Sequence, residues 1–311
     1  MSPPRARSNA LWLGGALALA LLVLLPSALV VGASTELSLR DAARALGAWV
    51  GAPFGLGEPL PGHLQTIAEL RLWRALVASG VGACLSLSGA LLQGVFRNAL
   101  ASPSVIGVSA GASLGAALSI ALLGGMLPTW LASGLWSPSP WIVVSGAFVG
   151  AVLVCALVMR LSTVGGRLSV PTLLLVGIAV NTCIAGALAA LQSLTLYNFE
   201  VARAILAWTF GTLDDRSAAH ALLAWLALGA ALLSTPWVAR ELDLLAGGEE
   251  DAQALGVDLA RTKFLALGAA ALAAAVATAV AGQISFVGLV VPHLLRSVVG
   301  HAHARVLPLS A

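Results

Sequence analysis

Eight apolar runs, each close to 20 residues long, constrain this chain more than any other feature of its sequence. A helix needs about 20 apolar residues to cross the roughly 30 Å hydrocarbon core of a bilayer. The runs cover residues 10–31, 72–95, 104–123, 141–159, 170–191, 218–239, 262–281 and 284–299, the last of them short. Only 9% of the 311 residues are charged, against roughly 25% in a soluble globular protein. Because the short alternating segments of a barrel are absent, the sequence predicts an all-α polytopic membrane protein with one transmembrane domain.

The basic residues favour one orientation of these spans. Arg5 and Arg7 precede the first run, which is too long for the apolar core of a signal peptide, so we expect a retained span and a cytoplasmic N-terminus. Alternation then places residues 97–103, 160–169 and 240–261 inside, with ten of the 16 basic residues on the inner side, as the positive-inside rule requires. The six outer ones are Arg40, Arg44, Arg71, Arg74, Arg203 and Arg216.

The sequence lacks the residues that several catalytic and binding functions require. Lys263, the single lysine, stands in R-T-K-F, which does not match the G-x-x-x-x-G-K-[ST] loop of an ATPase. No nucleophile–base pair, metal cluster or basic stripe for nucleic acid is visible. Cys84, Cys155 and Cys183 lie in apolar runs and indicate small buried hydrophobes. We therefore expect no enzyme and no cofactor held by this chain; ATP and Mg²⁺, if transport is ATP-driven, belong to another subunit.

The stretch Gly89–Gly115 combines a turn with a ladder of small residues. Arg97 and Asn98 turn the chain after the second span, and Pro103 suits the first turn of a helix because it needs no N–H there. Glycines at four-residue spacing follow, at Gly107, Gly111 and Gly115, and again in the next span at Gly146 and Gly150. This spacing lets two backbones approach, so ordinary helix packing explains these glycines by themselves.

Residues 282–296 read G-Q-I-S-F-V-G-L-V-V-P-H-L-L-R, an apolar stretch that contains a Pro-His pair and closes on Arg296. Broken or polar helix segments at membrane depth are tolerated mainly where they are buried in protein or line a cavity. The stretch therefore predicts a protein that moves something across the membrane, since a scaffold would not explain it. We interpret His293 as part of a structural bend and not as a metal ligand.

The long inner stretch 240–261 predicts two short helices that dock another protein. Acidic residues follow the break at Gly247 and Gly248, where they favour a helix N-terminus, and apolar residues flank the break on both sides. A solvated loop is the alternative, but it would leave those apolar residues without partners. The residues expected to couple to a partner are Leu244, Leu245, Gly248, Glu249, Glu250, Asp251, Leu255 and Gly256.

Several polar residues leave alternatives open. Asn181 and Thr182 lie mid-span and either bond to a neighbouring helix or face a translocation pathway; Gln93 is a third pathway candidate. His301 and His303 form H-A-H, for which we expect a solvated pair in preference to a metal site.

Taken together, these motifs resemble those of the permease subunits of ABC importers for iron chelates, haem and cobalamin. The family has a Gln followed by N-P-L-A-x-P and G-V-x-x-G-A, which correspond to Gln93, 98–103 and 107–112; its W-x-x-G corresponds to residues 208–211. Its F-V-G-L-x-x-P-H-x-x-R is present in full as Phe286, Gly288, Pro292, His293 and Arg296. One departure is Ala99, where the family has a rigid proline.

The resemblance implies the type II ABC importer permease fold with ten spans, so we expect two spans beyond Ala311 or an unusually short protein. It implies a bacterial inner-membrane homodimer, two ATPase subunits docked on residues 240–259, and a periplasmic binding protein whose acidic residues meet the outer arginines. The expected cargo is an iron chelate, haem or a ferric siderophore, with cobalamin as the alternative. An ion-coupled secondary transporter is the alternative from another class, but it needs buried ionisable groups that the predicted spans lack.

Overall fold

Helices make up nearly all of the regular structure in the computed structural model, which describes residues 4–32, 37–51, 60–123, 140–165 and 167–311. The α-helices are α1 Pro4–Val30, α2 Leu39–Gly51, α3 Gly62–Phe96, α4 Val108–Ala121, α5 Pro140–Leu161, α6 Val170–Thr195, α7 Phe199–Phe210, α8 Ala218–Leu245, α9 Glu249–Ala254, α10 Leu259–Ala281, α11 Val287–Val299 and α12 His303–Ser310. A 3₁₀ turn covers Pro103–Ile106, and strands β1 Thr163–Val164 and β2 Arg167–Leu168 form an antiparallel hairpin. The all-α prediction is confirmed.

Six of these helices are long and apolar enough to cross a membrane: Ala10–Val30, Gly62–Phe96, Trp141–Leu161, Val170–Thr195, Ala218–Leu245 and Leu259–Ala281. Helices α4 and α11 are apolar but shorter. All eight predicted spans thus correspond to helices, and those predicted at 104–123 and 284–299 are shorter than expected, with 14 and 13 residues. Both helices start late because left-handed residues precede them, Gly107 with φ 85° and Phe286 with φ 69°. Most of the predicted outer loop 124–140 lies outside the described residues.

Contacts within the chain divide it into two compact units. The first unit contains residues 1–80 and 213–223, and the second contains residues 81–212 and 224–311. Helices α3 and α8 each contribute residues to both. The single-domain prediction stays a prediction.

The first unit is organised around the end of α1. Leu29, Ala42 and Leu72 form one of its buried clusters, to which α1, α2 and α3 each contribute one residue. Helix α2 begins with a capping box, because Ser38 donates its backbone N–H to the Asp41 carboxylate and its hydroxyl oxygen accepts from the Asp41 N–H, both at 3.2 Å. Of the segment between the first two apolar runs, residues 33–36 and 52–59 lie outside the described residues.

The glycine ladder in the second unit joins α4 to α5. A Cβ on Gly111 would meet the Gly150 carbonyl oxygen, and a Cβ on Gly115 would meet the carbonyl oxygen of Gly146. Such side-chain-free contacts let transmembrane helices pack backbone against backbone. The packing interpretation of these glycines is confirmed.

Candidate functional site

A cleft of roughly 650 Å³ in the second unit brings together several of the polar residues singled out in the sequence. It lies between the end of α3, the end of α8, helix α11 and the turn before α12. The polar residues that line it include Gln93, Arg97, Asn98, Asp243, His293, Arg296, His301 and His303. Motifs more than 190 residues apart in sequence therefore meet at one place, as the Gln93 and Arg296 contacts show.

Gln93 is the junction between α3 and α11. Its side chain is buried, its amide nitrogen donates to the Leu289 carbonyl oxygen at 3.1 Å, and its amide oxygen accepts from Arg296. Arg296 also donates to the Ala90 carbonyl oxygen at 3.4 Å. Because both ends of the amide are used, this arrangement gives Gln93 a role in holding the two helices together.

Helix α11 approaches α3 at Gly288. The Gly288 carbonyl oxygen occupies the space that a Cβ on Gly89 would need, and a Cβ on Gly288 would lie 2.7 Å from the Leu85 carbonyl oxygen. Four residues after Gly288, Pro292 has no N–H with which to close the helical bond to the Gly288 carbonyl. The Gly and Pro of this motif thus act together to allow a close helix contact.

The start of the same motif packs against the W-x-x-G segment. A Cβ on Gly282 would lie 2.6 Å from both the Gly211 Cα and the Trp208 carbonyl oxygen, and both glycines have positive φ. Thr212 N–H donates to the Ala281 carbonyl oxygen at 2.9 Å. Two motifs that are separate in sequence therefore form one backbone crossing, which explains why both need glycine.

Asn98 closes the turn that leads into the 3₁₀ helix. Its side-chain oxygen accepts from the Leu100 N–H at 2.9 Å, and its backbone N–H donates to the Gln93 carbonyl oxygen at 3.2 Å. The preceding Arg97 is left-handed, with φ 51°. An asparagine side chain can organise such a turn by itself, which accounts for a formed turn with Ala99 in place of proline.

His303 is fixed by the end of α8. Its Nδ1 lies 2.6 Å from the Asp243 carboxylate, and its backbone N–H donates to the same carboxylate oxygen at 2.8 Å. The imidazole is buried against Gly94, whereas His301 is exposed. The prediction of a solvated H-A-H pair was wrong for His303, because its acidic partner lies 60 residues earlier in sequence. Among the described residues no group of three or more His, Cys, Asp or Glu could hold a metal ion.

The predicted coupling segment forms one short helix and not two. Helix α8 continues to Leu245, whose side chain is fully buried, and α9 begins after Gly248, with φ 139°. Ala252 is buried and holds α9 against the protein, while Leu255 is 67% exposed. Helix α9 ends before Gly256, whose φ of 85° is one that glycine adopts readily at a helix C-terminus. Of the predicted members, Leu244 is half-buried, and Glu250 and Asp251 are exposed.

Lys263 is a functional candidate that the sequence analysis did not identify. Its side chain is 6% exposed, and its ammonium nitrogen lies 2.9 Å from both carboxylate oxygens of Glu249. It also donates to the Leu168 carbonyl oxygen at 3.2 Å. The sequence feature that could have identified Lys263 is that it is the single lysine and follows the acidic residue Glu249 by 14 residues.

Residues 18–311 match the model of the FecCD transport family. This chain belongs to the FecCD transport family. Members of this family are membrane permeases of ABC importers, are not themselves catalytic, and work with an ATPase that is a separate subunit. This FecCD-family chain is accordingly a multi-pass membrane protein.

Two named relatives illustrate what this FecCD-family chain is similar to. The cobalamin import system permease protein of Halobacterium salinarum is 37% identical over 263 residues, which are 84% of this chain and 66% of that protein. The hemin transport system permease protein of Yersinia pestis is 36% identical over 241 residues, which are 77% of this chain and 69% of that protein. The chain thus spans about two thirds of the length of these relatives.

A solved ABC transporter, reported as of metal-chelate type and inward-facing, superimposes with a TM-score of 0.77 at 28% identity. The superposition covers 96% of this chain and 84% of the solved one. The predicted type II permease fold is confirmed.

Both pathway candidates on α6 of this FecCD-family chain donate hydrogen bonds to backbone carbonyl oxygens. Asn181 donates from its amide nitrogen to the Ser104 carbonyl oxygen at 3.0 Å, and Thr182 donates to the Ile178 carbonyl oxygen at 2.9 Å. The first bond is the contact with a neighbouring helix that the sequence left open. The assignment of Asn181, Thr182 and Gln93 to a pathway stays a prediction.

The outer arginines of the FecCD-family chain fall into two groups. Arg40, Arg44 and Arg203 are exposed, and exposed Arg74 pairs with Asp214 at 2.7 Å. Arg71 is buried and donates to the Leu29 and Val30 carbonyl oxygens at 2.7 and 3.1 Å, which caps the end of α1. The expectation that Arg71 offers itself to a partner is therefore corrected.

Arg216, the sixth outer arginine, lies in the segment that connects α7 to α8 along the chain and is half-buried. Burial lowers the pKa of its guanidinium, an effect that Asp215 and Asp214 oppose. It remains a weaker docking candidate than the exposed arginines, because a docking charge must reach solvent.

Proposed function

We propose that this chain is the permease subunit of an ATP-driven importer that carries an iron chelate, haem or a ferric siderophore, from the periplasm to the cytoplasm. Its place would be the bacterial inner membrane, with the N-terminus on the cytoplasmic side. The observation that carries the proposal is the surface of α9, where Glu250, Asp251 and Leu255 are exposed while Ala252 and Leu245 hold the segment in place. Such a rigid, partly apolar and acidic projection suits the docking of another protein.

Two ATPase subunits are the proposed occupants of residues 240–259, one on each copy of the permease. Membership in the family supports this assignment, since its permeases work with a separate ATPase. The absence of a phosphate-binding loop from the sequence is consistent with it. ATP and Mg²⁺ would bind to those subunits, and this chain would supply only the mechanical link.

A second copy of the permease is the proposed partner for α6 and α7. Only 11% of the most apolar part of α6 is buried within this chain. Leu175 on α6 and Phe199 and Phe210 on α7 are each at least 70% exposed. A membrane helix this poorly covered by its own chain suits either lipid or a second subunit, and family membership favours the subunit.

A periplasmic binding protein is the proposed partner for the outer arginines. Arg40, Arg44 and Arg203 are exposed, and Arg74 is exposed with its guanidinium on Asp214. Acidic residues on the binding protein would pair with these arginines without breaking contacts that are buried within the permease.

The cargo proposal rests on the names of the relatives and of the solved structure that this chain resembles. The Yersinia pestis relative is named for hemin, and the solved neighbour is of metal-chelate type. Cobalamin is the second candidate, because the Halobacterium salinarum relative is named for it. Membership in a family of ABC importer permeases argues against the alternative of an ion-coupled secondary transporter.

The proposal is tested by binding. The periplasmic binding protein that functions with this permease is purified and titrated with haemin, a ferric siderophore and cyanocobalamin by intrinsic fluorescence quenching. We expect saturable binding of an iron chelate that exceeds cyanocobalamin binding by at least about 100-fold, which is about 2.7 kcal/mol. Preferential binding of cyanocobalamin would replace the lead cargo by the alternative.

A further inference from the structure

Lys263 joins three elements that are distant in sequence. It lies near the start of α10 and is buried, yet all three of its ammonium donors have acceptors: the two carboxylate oxygens of Glu249 on α9 and the carbonyl oxygen of Leu168 on β2. A lysine ammonium has three donors and no acceptor, so this set satisfies it completely. The buried charge is thereby compensated, which a lone ammonium would not be.

A second bond fixes the other end of the coupling segment to the same turn of α10. The Thr262 hydroxyl lies 2.5 Å from the Glu241 carboxylate near the end of α8. Glu241 and Glu249 flank the turn that carries the chain from α8 into α9. Both flanks of the turn are therefore anchored on adjacent residues, Thr262 and Lys263, and α9 is not a free flap.

The hairpin side of the junction leads directly into α6. Leu168 ends β2, and α6 begins two residues later at Val170, after the N-cap Ser169. The Lys263 ammonium reaches this hairpin at the Leu168 carbonyl oxygen. The Lys263 side chain thus links α9 to the start of α6.

We propose that Lys263 is a positioning residue that makes α9 and the β1–β2 hairpin move together, and so carries displacement of the ATPase-docking segment to α6. The inference rests on the proposed function, since a docked ATPase must supply the displacement. Glu249 accordingly belongs to the internal linkage, and Glu250 and Asp251 face the partner.

The substitution Lys263→Met tests the linkage without removing the aliphatic stem. Glu249 is 40% exposed and can regain water, so the variant keeps a folded chain and its ATPase partner. Arg261→Met is the matched control, because Arg261 is an exposed cation two residues earlier on the same helix. Glu249→Gln breaks the same pair from the other side and covers the case in which Lys263→Met does not fold.

The experiment places spin labels at Gln253→Cys on α9 and Thr163→Cys on β1, both exposed, after the three native cysteines are replaced by alanine. Electron paramagnetic resonance then reports the distance between the labels in the assembled permease–ATPase complex, with and without ATP and vanadate. In the labelled parent, which keeps Lys263, and in the Arg261→Met control, we expect the same distance with and without ATP and vanadate. With Lys263→Met or Glu249→Gln, we expect the distance to change on ATP addition.

Uptake into proteoliposomes supplies the functional readout, with haemin and cyanocobalamin as probes. We expect Lys263→Met to lower uptake per ATP hydrolysed by about tenfold while complex yield stays within about twofold of the parent. An unchanged label distance in both broken-pair variants would overturn the inference.

A label distance that changes with Lys263 in place would also overturn it. Failure of the parent chain to bind any ATPase would overturn both the inference and the proposed function. A positive label result with neither probe taken up supports the inference and counts against the cargo proposal alone.

Discussion

The carbonyl oxygen of Gly288 on α11 occupies the space that a Cβ on Gly89 of α3 would need. Pro292 leaves that carbonyl without its helical N–H partner. The close contact is therefore possible because Gly89 has no side chain and Pro292 has no backbone donor. This crossing lies beside the Gln93 and Arg296 bonds and fixes α11 at the cleft.

Gly89→Ala should therefore destabilise the permease. The added methyl meets backbone, which cannot move away as a side-chain end would, and overpacking of this kind costs about 1–3 kcal/mol or more. Gly82→Ala on the same helix is the matched control, since nothing lies within 4 Å of its Cβ position, and alanine there should be neutral or stabilising by up to about 1 kcal/mol. Thermal unfolding in detergent, followed by tryptophan fluorescence, compares the two; equal melting temperatures would argue against a tight crossing.

Arg296→Gln should lower stability through the loss of a donor to a buried amide. The Gln93 side-chain oxygen accepts from Arg296, and its desolvation without that partner costs about 1–3 kcal/mol. Arg160→Gln, at an exposed position at the end of α5, should change stability by no more than about 0.5 kcal/mol. The same unfolding assay measures both, and similar losses for the two variants would remove Arg296 from the proposed junction.

His303→Ala should destabilise the chain while His301→Ala should not. His303 is buried and bonded to Asp243 at 2.6 Å, whereas His301, two residues before it, is exposed. We expect a loss of about 1–3 kcal/mol for His303→Ala and less than about 0.5 kcal/mol for His301→Ala. Limited proteolysis after residue 300 gives a local readout, because release of α12 should expose that segment. Equal protection of both variants would contradict the assignment.

Reversal of Glu250 and Asp251 to lysine should weaken the complex with the ATPase without unfolding the permease. Both side chains are exposed, and in the described part of the chain neither makes a hydrogen bond or an ion pair, so the expected drop in complex yield, about tenfold, comes from charge at the interface. Asp215→Lys, exposed in the segment that connects α7 to α8, is the control and should leave the yield unchanged. Affinity purification on a tagged ATPase gives the ratio; an undiminished yield for the double reversal would refute the docking surface.

The sequence predicted the elements of this fold better than their ends. All eight apolar runs became helices, because an apolar stretch of that length has few other options in a membrane. The breaks before α4 and α11 were missed, since a left-handed backbone at Phe286 goes against the preference of that residue type. Helices α7 and α12 were also missed, as was the burial of Arg71, whose acceptors lie about 40 residues earlier in the chain.

The candidate site shows the same division. The motif residues Gln93, Asn98 and Arg296 could be identified from their pattern, and they meet in one cleft. The pairing of Gln93 with Leu289 and the pair of Lys263 with Glu249 depend on the tertiary fold and are not encoded in local spacing, whereas the bond of Asn98 to Leu100 is local.

ATP-dependent accumulation by proteoliposomes tests the central claim most directly. The permease is reconstituted with its ATPase and binding protein, ATP is enclosed on the ATPase side, and trapped haemin, ferric siderophore and cyanocobalamin are measured against an ATPase variant that binds but does not hydrolyse ATP. The account predicts accumulation of an iron chelate that requires hydrolysis and all three proteins. Accumulation that persists without the ATPase, driven by an ion gradient alone, would contradict it.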